Sequence, residues 1–246
     1  MERLPEHMKK LTDTFVANLR ECFGEGLVAV ILYGPAARGE EMKGRTFIHF
    51  VVVVRDSTPS ALAPCTAFMK RWAKERIAAP LFITSEYIGN SLDTFPLEFM
   101  EMKNSYAVVY GEDVLGGIEF RAGDVRSECE REIKGKLLHL RAEYLALRGN
   151  WKELAHLVHR SLETFRLVFT GALFLKKHPA PEKTPDLLET VAAEYGLDGA
   201  LLRRLYEFSR GSVKPDPEET DRLFDLYVEE LDKLSGALDA FRTTEE

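Results

Sequence analysis

The sequence predicts an α+β fold: a small mixed β-sheet flanked by helices, followed by an all-α antiparallel helical bundle. Short β-branched apolar runs occur before about residue 120, and long amphipathic segments with helix-capping signals fill the rest of the chain. The connections between the amphipathic segments are short, which is typical of helices that pack as antiparallel neighbours. We therefore predict two domains, 1–120 and 121–246.

In the N-terminal region, segments with the apolar spacing of a helix and short apolar runs typical of strands follow one another along the chain. Segment 6–22 has helical spacing and is followed by Gly24 and Gly26, which end a helix well. The predicted strands are the short apolar runs 27–33, 46–54, 80–84 and 106–110, and the predicted helices are 6–22, 59–77 and 93–104.

In the C-terminal region most predicted helices have a clear start or stop signal. The start signals are Asp124, Thr184-Pro185, Asp198 and Asp216-Pro217. Glycines at 149, 196 and 211 and the pair His178-Pro179 are stop signals. The predicted helices are 125–147, 151–177, 184–196, 198–211 and 216–241.

Net charge, cysteine spacing and the length of the apolar runs argue against several classes of protein. The net charge of −7 argues against nonspecific nucleic-acid binding as the main activity. The cysteines Cys22, Cys65 and Cys129 are scattered, odd in number and without CxxC spacing, so they predict neither a disulfide framework nor a zinc site. No apolar signal segment opens the chain, and the apolar run 50–54 is too short to cross a bilayer. We therefore expect a cytoplasmic protein that does not act in a membrane.

The segment from Ile31 to Val54 carries the main functional signal. A strand ending in Leu32-Tyr33-Gly34 runs into a turn of small residues, Ala37-Arg38-Gly39 follows, and a second apolar strand comes next. A strand that enters such a turn presents backbone N–H groups to an anion, and those groups favour phosphate.

These residues resemble the nucleotidyltransferase superfamily related to DNA polymerase beta, in its small bacterial and kanamycin-nucleotidyltransferase-like branches. The resemblance covers the N-terminal domain, a helical bundle behind it is common in that family, and Tyr110-Gly111-Glu112-Asp113 also fits the pattern. It implies a nucleotide or phosphate site in the turn. The residues concerned are Gly34, Pro35, Ala36, Arg38 and Gly39.

The chain departs from the family pattern at the residues that would hold the phosphates and the metal ions. The family has a serine where this chain has Pro35, which offers neither an N–H nor a hydroxyl. The two aspartates that hold Mg²⁺ in the family fall at Phe47 and His49, and the third acid falls in 78–80, where this chain has none. Mg²⁺ requires oxygen ligands in near-octahedral geometry, so metal-dependent transfer would lack its usual clamp. We assign no cofactor; the resemblance implies Mg²⁺ if the protein is active.

Other residues leave alternatives open. Glu40, Glu41, Glu86 or Glu98 could supply relocated metal ligands. His49 could be a general base or a ligand for a softer metal, or it could fill a cleft together with Phe47, because an alternating strand places both on one face.

Arg38 could contact a phosphate or form a local ion pair. His156 and His159 share a helix face and could ligate a metal, although a polar helix face is the simpler interpretation. Glu98 and Glu101 are candidate acids of a cleft, because in the resembled branch acidic groups attract an aminoglycoside acceptor.

Three functional hypotheses follow. The first is a nucleotidyltransferase-like protein that has lost the metal-binding carboxylates and acts as a nucleotide-binding, anion-binding or scaffold pseudoenzyme. The second is an active nucleotidyltransferase on a small molecule or protein, with relocated metal ligands. The third is an interaction protein that works through its helical bundle, for example as a homodimer. The partners expected are a nucleotide and a second copy of the chain, and not nucleic acid or a membrane.

Overall fold

The computed structural model describes residues 5–37, 47–212 and 216–242. Its strands are β1 (Leu27–Tyr33), β2 (His49–Val54), β3 (Leu81–Ile83) and β4 (Tyr106–Gly111). Its helices are α1 (Glu6–Phe23), α2 (Pro59–Leu62), α3 (Thr66–Lys74), α4 (Ser85–Ser91), α5 (Pro96–Asn104), α6 (Ala122–Leu147), α7 (Trp151–Leu175), α8 (Thr184–Tyr195), α9 (Gly199–Ser209) and α10 (Pro217–Asp239).

The chain divides into two compact units. The sheet unit comprises Met1–Leu92 and Glu101–Glu119, and the helical unit comprises Asp93–Met100 and Phe120–Glu246. The segment Asp93–Met100 precedes β4 in the chain, yet it belongs to the helical unit because Leu97 and Met100 are buried in that unit's core. None of the helices in the described ranges is both long and apolar enough to cross a membrane.

Among the described residues the sheet has four strands, in the order β3-β2-β1-β4. Strand β1 pairs antiparallel with both β2 and β4, whereas β3 pairs parallel with β2 at the edge. The sheet is therefore mixed, and the predicted α+β fold is confirmed. The bounds of β1 match the prediction, because this run is apolar throughout and lies in the centre of the sheet.

Aromatic side chains hold α1 against one face of the sheet. The ring of Phe15 stacks on the ring of Phe50, with centroids 4.3 Å apart, and meets the ring of Trp72 edge-on at 4.8 Å. The indole N–H of the buried Trp72 donates to Oδ1 of Asn18 at 3.3 Å. This contact satisfies the only polar atom of a large core side chain.

Two helix predictions in the sheet unit are wrong in detail. The single helix predicted over 59–77 is split by the 3-10 turn Ala63–Cys65, because Pro64 has no N–H to continue an α-helix. Helix α4 was not predicted. It begins after Thr84, whose hydroxyl accepts the N–H of Tyr87 at 3.0 Å.

The helical unit consists of α6 to α10 with the segment Asp93–Met100, so the five predicted C-terminal helices are confirmed. Asn150, Asp198 and Asp216 cap helices α7, α9 and α10 through their side chains. The predicted cap Asp124 is wrong. Helix α6 begins three residues earlier than predicted, and Asp124 lies in its first turn, 4.0 Å from the guanidinium of Arg121.

Candidate functional site

The described part of the turn after β1, residues 34–37, is a β-turn that begins at Gly34. Gly34 directly follows the strand with φ of 75°, a conformation that costs glycine little and other residues more. The N–H of Ala37 donates to the carbonyl of Gly34 at 3.0 Å, which closes a β-turn with Pro35 at its second position. Gly34 and Ala36 are buried, and Pro35 is partly exposed.

In the described part of this turn, two of the three N–H groups are already donated within the protein. Gly34 donates its N–H to the carbonyl of Ser105 at 3.1 Å, and Ala37 donates to Gly34. Pro35 has no N–H. Within 34–37, Ala36 alone keeps an N–H that is not donated to a described carbonyl. An anion at residues 34–37 would therefore meet fewer backbone donors than an open glycine-rich loop offers.

Strand β2 starts beside this turn with ring side chains. Strand β2 begins at His49, so Phe47 and Ile48, the first described residues of the predicted strand 46–54, lie before it. Ile48 bridges to Ile77 and is buried, so alternation places Phe47 and His49 together on the opposite face. The side chain of Phe47 is 49% exposed and does not fill a closed cleft.

A row of three aromatic side chains crosses the sheet at this end. Tyr33 is paired with His49 of β2 on one side and with Tyr106 of β4 on the other. The rings of Tyr33 and His49 are 5.6 Å apart at their centroids and tilted by 45°. Directly opposite residues of antiparallel strands share one face, so Tyr106, Tyr33 and His49 form what we call the aromatic row.

Burial sets the protonation of the aromatic row. It lowers the pKa of the His49 imidazole and raises the pKa of the Tyr33 phenol, because the charged forms are poorly solvated there. Burial and a hydrogen bond to Asp113 raise the pKa of Tyr106. The row is therefore uncharged at neutral pH.

Asp113 holds the outer end of the row. Each of its carboxylate oxygens lies 3.0 Å from the hydroxyl of Tyr106, which donates to them, and Oδ1 also accepts the N–H groups of Leu115 and Gly116 at 3.2 and 2.9 Å. This carboxylate is engaged in fixing the loop after β4, and it stabilises the position of Tyr106.

The structure brings some of the predicted site residues together. Gly34, Pro35 and Ala36 lie in the turn, His49 begins β2, and Phe47 lies two residues before it. The predicted phosphate ligands Arg38 and Gly39, together with the candidate acids Glu40 and Glu41, lie outside the described residues.

The remaining candidate acids are dispersed. Glu86 is exposed in the first turn of α4, Glu98 belongs to the helical unit and Glu101 to the sheet unit. Burial, followed by the nearby carboxylates of Glu128 and Glu132, raises the pKa of Glu98. Across the described ranges, no group of three or more histidine, cysteine, aspartate or glutamate side chains is arranged as a metal site, His156 and His159 included.

Sequence reasoning missed Tyr33, Tyr106 and Asp113 as parts of the site. Tyr33 and Asp113 occur in the quoted motifs, but only the strand pairing shows that Tyr33 lies between His49 and Tyr106. The available signal was an aromatic residue at the matching end of each strand, since such residues are frequent cross-strand partners.

The fold class follows from this arrangement. A strand, a small-residue turn and an antiparallel second strand lie in a mixed sheet, and helices follow. This is a nucleotidyltransferase-like fold, the fold that the resemblance implies.

A solved structure supports this fold class. Spectinomycin adenyltransferase from Enterococcus faecialis, in a crystal structure with ATP and spectinomycin, is similar to this chain with a TM-score of 0.52. The match covers 94% of this chain and 99% of that chain, at 10% sequence identity, so it establishes the fold alone. No family model matches the chain, and no curated protein matches its sequence.

Proposed function

We propose that this chain is a nucleotidyltransferase-like protein that binds a nucleotide and does not transfer its nucleotidyl group by the metal-dependent mechanism. The observation that carries the proposal is the pair Phe47 and His49, which lie on one face at the start of β2, beside the turn after β1. By the family resemblance these positions would carry the paired carboxylates. The solved structure of similar fold contains ATP, which supports a nucleotide as the ligand.

The donor set at these described positions does not fit Mg²⁺. Phe47 has no ligating atom, Pro35 has no hydroxyl, and a neutral imidazole at His49 offers nitrogen, which suits softer metals such as zinc. These positions therefore do not supply the oxygen ligands that a Mg²⁺-dependent step would need.

Calorimetric titration with ATP, GTP, CTP and UTP, with and without Mg²⁺, tests binding, and a pyrophosphate-release assay tests transfer. We expect at least one nucleotide to bind and pyrophosphate release to stay at the level of the protein-free blank. Nucleotide-dependent release that is lost in Glu40→Gln or Glu98→Gln would instead establish an active enzyme with relocated ligands.

Replacement of Arg38 tests the phosphate side of the proposed site. Because an arginine can bind an anion without a metal, Arg38→Ala should weaken nucleotide binding at least about tenfold, the value of one charge-assisted hydrogen bond. Arg55→Ala is the matched control, since Arg55 is exposed just after the opposite end of β2. Equal affinities for the two variants would remove Arg38 from the site.

A second candidate function is interaction through the helical unit. The side chains of Leu138 and Leu145 on α6 are 68% and 74% exposed, and they lie seven residues apart on one helix face, with the small Ala142 between them. Sedimentation velocity of the wild type and of Leu138→Glu/Leu145→Glu would test whether this face forms a homodimer. A monomeric wild type across the accessible concentrations would contradict it.

A further inference from the structure

The exposed end of one sheet face offers a surface for a planar ring. Phe47 is 49% exposed and Leu81 of β3 is 45% exposed, and Leu81 lies on the same face as its partner Val51. Val51 and Val53, further along that face, are fully buried. Along β2, exposure on this face is therefore concentrated at the strand start, beside the turn after β1, and Leu81 lies on the neighbouring strand at the level of Val51.

The geometry of this strand end suits stacking. Phe47 and His49 point to one side and are separated by about 7 Å along the chain. The His49 ring is held from the β1 side by Tyr33, at 5.6 Å between centroids. Tyr33 is flanked in turn by Tyr106, whose hydroxyl donates to Asp113. A chain of contacts thus fixes the rings nearest to the exposed Phe47.

The polar chemistry of this strand end is sparse. Asp113 already accepts three donors, and two of the three N–H groups in the described part of the turn are donated to backbone carbonyls. The side chains of the aromatic row are uncharged at neutral pH. What this surface offers a ligand is aromatic and aliphatic area, whereas charged groups for a triphosphate are absent from its described residues.

We propose that this strand end binds the nucleobase of a nucleotide by stacking on Phe47 and His49, in place of a metal-bound triphosphate. The inference rests on the proposed function and names the part of the nucleotide that supplies the affinity. Stacking of a base on an aromatic side chain is sequence-tolerant, because every base has a π-face.

The test compares three probes by calorimetry in EDTA: ATP, adenosine and inorganic tripolyphosphate. We expect adenosine to bind about tenfold or more weakly than ATP, because it lacks the phosphates that Arg38 is proposed to contact, but still to bind measurably through its base, and tripolyphosphate to compete poorly. Phe47→Ala should weaken adenosine and ATP alike by about tenfold or more, and Phe47→Trp, which keeps a ring, should retain binding. Tyr87→Ala is the matched control, because Tyr87 is an aromatic residue of the same unit with 46% exposure.

The outcomes separate the two proposals. If ATP and tripolyphosphate bind but adenosine does not, the stacking site is refuted and the proposed nucleotide binding stands. If ATP binds and Phe47→Ala leaves its affinity unchanged, the stacking site is likewise refuted. If neither ATP nor adenosine binds, the proposed function fails and the stacking site fails with it. Loss of adenosine binding in Phe47→Ala, with Phe47→Trp and Tyr87→Ala unaffected, supports the stacking site.

Discussion

Gly111 ends β4 under a steric constraint that is stronger than its conformation alone implies. Its φ is 76°, and a Cβ atom placed on it would lie 1.9 Å from the carbonyl oxygen of Val28. The left-handed conformation costs a non-glycine residue about 1–2 kcal/mol, and the backbone overlap adds to that cost. We expect Gly111→Ala to lower the free energy of unfolding of the sheet unit by more than about 2 kcal/mol.

The matched control for this prediction is Gly24→Ala. Gly24 also has a positive φ, 51°, but no atom lies within 4 Å of its added Cβ. Gly24→Ala should therefore lower the free energy of unfolding by only about 1–2 kcal/mol. Urea unfolding followed by the fluorescence of Trp72, with Trp151 replaced by phenylalanine, reports on the sheet unit. Equal losses in the two variants would show that the close approach to Val28 is relieved by a backbone shift.

His49 makes the stability of the sheet unit depend on pH. Burial lowers the pKa of its imidazole below the unfolded value of about 6.5, so the unfolded chain binds the proton more readily. The stabilisation present above pH of about 6.5 is therefore lost as the pH falls through that value toward the lower folded pKa. We expect the urea midpoint to fall between about pH 7.5 and 5, and His49→Gln to flatten this part of the profile.

His7→Gln serves as the control for the pH profile, because His7 is exposed on α1 in the same unit. Its midpoint should follow the wild-type curve. A His49→Gln profile as steep as that of the wild type would assign the acid sensitivity to other groups.

At the scale of elements, the start of α9 depends on α10 as well as on its own cap. The side chain of Asp198 accepts the N–H of Leu201 at 2.9 Å, while the N–H of Asp198 donates to Oε2 of Glu230 at 2.8 Å. The Glu230 side chain is almost fully buried, and its other oxygen binds the ammonium of Lys233. Loss of this acceptor leaves a partly buried N–H without a partner.

We therefore expect Glu230→Ala to lower the free energy of unfolding of the helical unit by about 1–3 kcal/mol, and Glu230→Gln, which keeps an acceptor, by less. Glu229→Ala changes an exposed neighbour on the same helix and should stay within about 0.5 kcal/mol of the wild type. Denaturant unfolding followed by Trp151 fluorescence compares the three variants. A Glu230→Ala variant as stable as Glu229→Ala would show that water replaces the acceptor.

The elements that local chemistry specifies were predictable. Asp198 and Asp216 cap their helices as predicted, because a short side chain can reach the first-turn N–H groups from that position. The break at Pro64 was not predicted, although the sequence contains the signal for it, since a proline in the second turn of the predicted helix 59–77 removes a backbone donor. The start of α6 could not be predicted in this way, because no side chain caps the first turn of that helix.

At the scale of the whole molecule, the order of elements could be predicted but the pairing that builds the site could not. Apolar periodicity locates β1, and glycine locates the turn at Gly34. Which strand ends meet depends on contacts between distant residues, as between Tyr33 and Tyr106. By the resemblance, the sequence predicts ring side chains at the two metal-ligand positions. The structure adds that one of them, His49, lies in a cross-strand row with Tyr33 and Tyr106.

If the fold has kept the backbone of a metal site and lost only its side chains, two substitutions should restore cation binding. Phe47→Asp/His49→Asp places two carboxylates on one face at the start of β2, next to the turn. Without metal their mutual repulsion should lower the thermal midpoint, and Mn²⁺, which favours carboxylate oxygens, should raise it again because it binds only the folded state. The control Phe47→Asn/His49→Asn matches the size without the charge and should show no recovery with Mn²⁺. A Mn²⁺ response of equal size in both double variants, or none in the aspartate pair, would mean that these two positions do not converge on a common point, and that the strand start differs from a metal site in its backbone as well as in its side chains.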